Sequence, residues 1–182
     1  ININDVIQEK IMNIVLYEHP TLRIKSTEVT DIDDELRKTL DEMVSTMRKA
    51  NGVGLAANQV DIPKRFFVLE IENEVKKIIN PEILEVSKEI IEYEEGCLSI
   101  PKIYKKVSRP AEIKVKYLDE NGKEKIENLS EMWARAFQHE LDHLDGVLFI
   151  DRISVLNKRL IAKKLDIMKR DFAKGKKYRE ED

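Results

Sequence analysis

Cysteine is almost absent: Cys97 is the only one in 182 residues. No intramolecular disulfide can form, and a reducing compartment is expected, the cytoplasm in the simplest case. Long apolar runs are missing as well. None approaches the ~20 residues of a membrane span, so no membrane partner is expected. The opening stretch, ININDVIQEKIMNIVLYEHP, lacks the basic flank and apolar block of a signal peptide, and it is not Arg-rich like a transit peptide. With six glycines and five prolines there is no Gly/Ser/Pro linker, and neither a repeat nor a low-complexity stretch occurs. Nor is there an excess of positive charge. A formal net charge of -3 disfavours a generally basic nucleic-acid binder, and no DNA partner is expected.

What is present is a chain 42% hydrophobic and 37% charged, long enough for one well-buried core and short for two. A single domain over 1–182 is expected. Met12 offers an internal start that would make 1–11 an extension; equally, these residues belong to the native N-terminus. Residues 174–182 read as a flexible charged tail. The stretch DIDDELRKTLDEMVSTMRKANG predicts an amphipathic helix with Leu36, Leu40, Met43, Val44 and Met47 on one face, closed by Asn51-Gly52. Strands are predicted over 64–71 and 75–80, the second stopped by Pro81. A hairpin follows, with Ile113, Val115 and Tyr117 alternating before an Asn121-Gly122 turn. Residues 130–144 predict a helix with Ser130 as N-cap and apolar residues on several faces, which marks it as buried. Another helix is predicted from Ser154 to Ala173. Strands in runs with helices at either end make the class α+β.

The buried helix contains QHELDHLDG, residues 138–146. Residues i and i+4 of a helix lie one above the other, so His139 and His143 can present two imidazoles to one cation. Glu140, one step round, can reach a water at that cation. This is the H-E-x-x-H pattern of two ligands and a general base. The alternative, two core histidines held by hydrogen bonds, is disfavoured because these are two of only three histidines in the chain. A third ligand is needed. Metzincins place a histidine where Phe149 stands, and phenylalanine binds no metal. Gluzincins use a downstream glutamate, and only Glu180 and Glu181 follow Glu140. Asp151, Asp166 and Asp171 remain formal options, with His19 and Cys97 upstream. For His19 a structural role is favoured. Cys97 is by itself most simply a small buried hydrophobe, but its thiolate is a strong ligand for a divalent transition metal.

Three stretches in this order, GVGLAANQ (52–59), EGCLS (95–99) and QHELDHLDG, resemble the motifs of the peptide deformylases. The resemblance covers nearly the whole chain, from about Ile14 to the mid-160s. It implies antiparallel and mixed β-sheets packed around the central HExxH helix, with N-terminal and C-terminal helices. It also implies hydrolytic removal of the formyl group from the formyl-methionine of nascent peptides, in a bacterial-type cytoplasm or an organelle. Cys97, His139 and His143 would bind one divalent ion. Fe²⁺ would be native, and Zn²⁺, Ni²⁺ or Co²⁺ could substitute. Glu140 would act as base and then acid, with Gln59 and the backbone N–H of Leu98 binding the developing oxyanion. Val53 and Gly54 would hold the peptide in extended form.

One departure is visible: the family usually has proline where Asn58 stands, so a less rigid loop is expected. The resemblance also suggests a Glu95–Arg109 ion pair bracing the metal loop, against the alternative of two solvated charges. Gln138 either orients a ligand or faces solvent. The last helix and tail are locally basic, including Lys158, Arg159, Lys163 and Lys164. Docking to ribosomal RNA is one reading; an ordinary solvated face is the plainer and preferred one. A metallopeptidase of another clan and a non-catalytic binding module are the competing functions.

Overall fold

The structure, a computed structural model, describes residues 10–180. Residues 1–9 and 181–182, which include most of the expected extension and the end of the expected tail, lie outside the described residues. Helix α1 (Asp34–Lys49) starts where the sequence signals it: the Asp33 side chain accepts from the Leu36 N–H. Asp34 and Glu35 stand in its first turn and Arg48 and Lys49 in its last, matching the helix dipole at both ends.

Five strands form one sheet: β1 (Gly54–Ala56), β2 (Phe66–Ile71), β3 (Glu74–Val86), β6 (Glu112–Leu118) and β7 (Glu124–Ser130), ordered β1-β2-β3-β6-β7. A second sheet is the long hairpin of β4 (Ile90–Cys97) and β5 (Ile100–Pro110). Among the described residues every ladder is antiparallel. The parallel pairing anticipated in a mixed sheet is confined to an isolated bridge between Thr27 and Lys64.

Strand β2 explains the layering. Side chains alternate across a strand, and β2 is apolar on both sides. Phe67, Leu69 and Ile71 pack with Ala134, Ala136, Phe137 and Leu144 of helix α2 (Glu131–Leu144). Phe66 and Val68 pack with Leu40, Met43, Val44 and Met47 of α1. The five-stranded sheet is therefore sandwiched between two helices, and the HExxH helix is central, as expected. A third cluster joins Ile100, Ile103 and Val107 of β5 to Phe149, Ile150 and Ile153. It is closed by Ile161 of helix α3 (Val155–Ala173). No helix among the described residues is long and apolar enough to cross a membrane.

Pro81 does not stop its strand; β3 continues to Val86. The register slips between Ile79 and Glu82, so Asn80-Pro81 sits in a bulge, where proline's missing N–H breaks no ladder bond. Asn80 takes a positive φ of 51° there, and its side-chain amide exchanges two hydrogen bonds with the Val29 backbone. Ser130 occupies the N-cap of α2 as predicted but makes no side-chain cap bond.

Candidate metal centre

Three elements bring the predicted site together. Helix α2 carries His139, Glu140 and His143, all buried. Cys97 ends β4, at the tight turn into β5. Gly96 allows that approach: a Cβ there would lie 2.4 Å from a ring carbon of Tyr104, its cross-strand partner. Gln59 comes from the short helical turn after β1.

The donor atoms of Cys97, His139 and His143 lie within 4.8 Å of one another, with Cys97 Sγ 3.3 Å from His143 Nε2. Donors on a tetrahedral ion, each about 2.0–2.3 Å from it, sit roughly 3.3–3.8 Å apart, so the cluster is sized for one small ion. Among the described residues no other group of three such donors converges. His19 instead caps a helical turn, its Nδ1 accepting from the Thr21 N–H at 3.2 Å. Asp151 pairs with Arg23. Phe149, at the metzincin ligand position, stacks on the His139 ring at 6.1 Å.

One ligand, His139, is oriented from behind. His139 Nδ1 donates to Glu95 Oε1 at 2.9 Å, which leaves Nε2 for the ion. Burial favours the neutral form of His143 and pushes its pKa well below the usual value; a metal ligand must be in that form. The Glu95–Arg109 pair exists and is bidentate, at 2.6 and 2.9 Å. It belongs to a larger buried network that sequence reading missed. Arg135 also donates to Glu95 at 2.6 Å and Arg109 reaches Asp142 at 2.9 Å, while the half-exposed Arg152 donates to the same Asp142 carboxylate at the network's rim. Burial alone would raise the Glu95 carboxyl, but hydrogen bonds from Arg109 and His139 hold it at about 2. A signal was available: Arg135, His139 and Asp142 lie at i, i+4 and i+7 of one helix, hence on one face.

Glu95→Gln is expected to weaken metal binding ~10–100-fold, the usual cost of losing an outer partner of a ligand. It should also lower stability by ~3–5 kcal/mol, because buried Arg135 loses its carboxylate partner and Arg109 keeps only Asp142. Metal dissociation rates and urea unfolding check both; unchanged metal affinity would remove Glu95 as the orienting group.

Glu140 faces the same space. Burial pushes its carboxyl up to about 7, and a cation beside it would bring that value down. Its Oε2 is buried without a hydrogen-bond partner. A Cβ at Gly54 would stand 2.6 Å from Glu140 Oε1, so only glycine lets β1 run this close to the carboxylate. Gln59 is aimed by its neighbours: Oε1 accepts from the Ala56 N–H at 2.9 Å, which turns Nε2 toward Ser99 Oγ at 3.1 Å and Cys97 Sγ at 3.5 Å. A cleft of about 420 Å³ is lined by Val53, Gly54, Gln59, Cys97, Leu98, His139 and Glu140. All the predicted residues thus converge on it, with His143 behind its wall.

Asn58 corrects the expectation of a looser loop. It is fully buried, and its Nδ2 donates to the His143 carbonyl at 2.6 Å, tying the Gln59 turn to the ligand helix. Gln138 neither faces solvent nor touches a ligand; its Nε2 donates to the carbonyls of Pro110 and Ala134.

Fold and cluster together define an α+β protein of the HExxH type, with a cysteine completing a set of donors able to hold one metal ion. Comparison with known proteins makes the class specific. The family model for polypeptide deformylase matches residues 11–159. A peptide deformylase of Fusobacterium nucleatum subsp. nucleatum is 50% identical over 157 residues, 86% of this chain and 90% of that one. One from a Thermotoga species is 49% identical over 150 residues, 82% of this chain and 92% of its own. The crystal structure of the Thermotoga maritima enzyme superposes with a TM-score of 0.79 at 48% identity, covering 80% of this chain and 99% of that one. That of Plasmodium falciparum gives 0.86 at 39% identity, covering 90% and 98%. The chain belongs to the polypeptide deformylase family.

Proposed function

We propose that Cys97, His139 and His143 hold one divalent ion, and that Glu140, Gln59 and the Leu98 N–H carry out the family's reaction around it. That reaction is metal-dependent hydrolysis of the N-formyl group from the formyl-methionine of newly made proteins, releasing formate. The observation that carries the assignment is the three-donor cluster at the wall of one cleft, into which Cys97, His139, Glu140 and Gln59 face.

An ion held by Cys97, His139 and His143 would supply Lewis-acid polarisation of the formyl oxygen and a lowered water pKa, toward ~7. Glu140 takes the proton of the attacking water. The formyl carbon then becomes tetrahedral and its oxygen gains charge. Gln59 Nε2 and the Leu98 N–H donate to that oxygen. One such donor is typically worth ~3–4 kcal/mol. Glu140 returns its proton to the leaving amine as the C–N bond breaks, which yields formate and a free N-terminus. Strand β1 is an edge of its sheet, and Val53 and Gly54 at its start line the cleft. An extended peptide would lie along that edge. Formate release from formyl-Met-Ala, without cleavage of internal peptide bonds, is the expected activity; internal cleavage would favour a metallopeptidase.

One thiolate and two imidazoles can hold Fe²⁺, Co²⁺, Ni²⁺ or Zn²⁺, and Zn²⁺ binds such ligands more tightly than Fe²⁺. Fe²⁺ is the proposed native ion on family grounds.

Docking of α3 to ribosomal RNA is a separate proposal. Lys158, Arg159, Lys163 and Lys164 are exposed on α3, whereas Ile161 is buried and Leu165 and Met168 pack into the third core cluster. Truncation at 165 would remove Met168 from that core, so charge reversal of the four exposed cations is the cleaner test. Weaker cosedimentation with ribosomes is expected; unchanged cosedimentation excludes the docking.

A further inference from the structure

The C-terminal segment reaches the cleft, although the family match ends at residue 159. Helix α3 stops by turning back on itself. Gly175, at φ 108°, donates to the Phe172 carbonyl and Lys176 to that of Asp171, a Schellman-type end. The chain then lies antiparallel to the N-terminal segment. Leu16 N–H donates to the Lys177 carbonyl at 2.9 Å, Arg179 N–H donates to the Ile14 carbonyl at 2.7 Å, and Tyr178 bridges Val15. Where a flexible tail is expected from sequence, 177–179 are therefore paired.

The partner segment is itself part of the site's frame. Val15 N–H donates to the Gln59 carbonyl at 2.8 Å, and Tyr17 N–H to the Ser99 carbonyl at 2.9 Å. One strand-like segment thus joins the tail on one edge to both walls of the cleft on the other. From this fixed backbone the Arg179 side chain lines the cleft, and its guanidinium donates to the Leu98 carbonyl at 3.2 Å. Leu98 stands between the thiolate ligand and Ser99, which accepts from Gln59. Leu98 is also the residue whose N–H is proposed to face the reacting oxygen.

We infer that Arg179 is a positioning residue for the Cys97–Ser99 loop. Its cation anchors the Leu98 carbonyl, in the peptide that follows the one carrying the Leu98 N–H, and so restrains the Leu98 backbone from which that N–H projects. The tail is a strap that completes the oxyanion side of the cleft. This rests on the proposed role of the Leu98 N–H.

The test uses full-length, metal-loaded protein and formyl-Met-Ala, with Arg179→Ala, Arg179→Lys and Gln59→Ala side by side. Arg179→Ala is expected to lower kcat about tenfold, the scale of one lost charge-assisted hydrogen bond. KM, metal content and thermal midpoint should stay unmoved, and Arg179→Lys should restore most of kcat by offering an ammonium donor to the same carbonyl. If Arg179→Ala keeps kcat within about twofold, the lost bond is worth too little for a positioning role and the inference fails. If kcat falls together with metal content or thermal midpoint, Arg179 is a scaffold residue and the inference fails. Gln59→Ala separates the levels. If it is crippled while Arg179→Ala is not, the oxyanion reading stands and only the strap is wrong. If it keeps full kcat, the oxyanion reading fails and takes the strap with it.

Discussion

Replacing Glu140 with alanine is expected to cut kcat for formate release by about 10²–10⁴-fold, the span of positioned acid–base catalysis. Metal content should remain at that of the wild-type protein. The reason is geometric. Glu140 lies one residue from His139 on α2, yet it is not among the three converging donors. Its carboxylate sits against Gly54, and both line the cleft. In the proposed mechanism it also carries a proton-transfer burden at both ends of the reaction, as base to water and as acid to the amine. Truncation empties a small pocket without leaving a buried charge, so the fold should hold. Activity within tenfold of wild type would remove Glu140 from its role.

Replacing Cys97 with alanine should have the opposite signature: metal is lost, and activity goes with it. Two imidazoles on one helix turn leave the ion without its only anionic protein ligand. An outer partner of a ligand costs ~10–100-fold in affinity, and loss of a ligand itself should cost more than that. Metal analysis after gel filtration reads the outcome directly. Far-ultraviolet circular dichroism should be unchanged, because Cys97 ends β4 at a turn and is only partly buried at the edge of the third core cluster. Retention of a full equivalent of metal by Cys97→Ala would mean that some other group completes the site.

Much of this was legible beforehand because the chemistry leaves local marks. The i, i+4 spacing of His139 and His143 needs only a helix, and α1 announces itself through Asp33 and its apolar stripe. The α2 helix reads as buried because Phe137 and Leu144 on one face and the two histidines on another all need cover. Other features left no local mark. Pro81 looks like a strand terminator until the pairing with β6 shows a bulge that accommodates it. The β4–β5 hairpin mixes Glu94, Lys105 and Lys106 with Ile91 and Val107, and it is exposed over much of its length, so period-2 alternation is weak. Glu95 meets Arg135, and Arg179 meets Leu98, across 40 and 81 positions of chain. Such contacts depend on how the sheets pack, and spacing along the sequence carries no trace of them. Asn58 looked like a loosening of its loop, whereas in the fold its amide is a tie to His143.

The central claim is that one ion held by Cys97, His139 and His143 is what makes this cleft cut a formyl amide. The direct measurement is formate release from formyl-Met-Ala while metal-free protein is titrated anaerobically with Fe²⁺, with Ni²⁺ in a parallel series. Activity should rise from zero and level off at one equivalent of ion per chain. Absence of formate at every Fe²⁺ and Ni²⁺ load, or a rate that keeps climbing to two equivalents, would contradict the account.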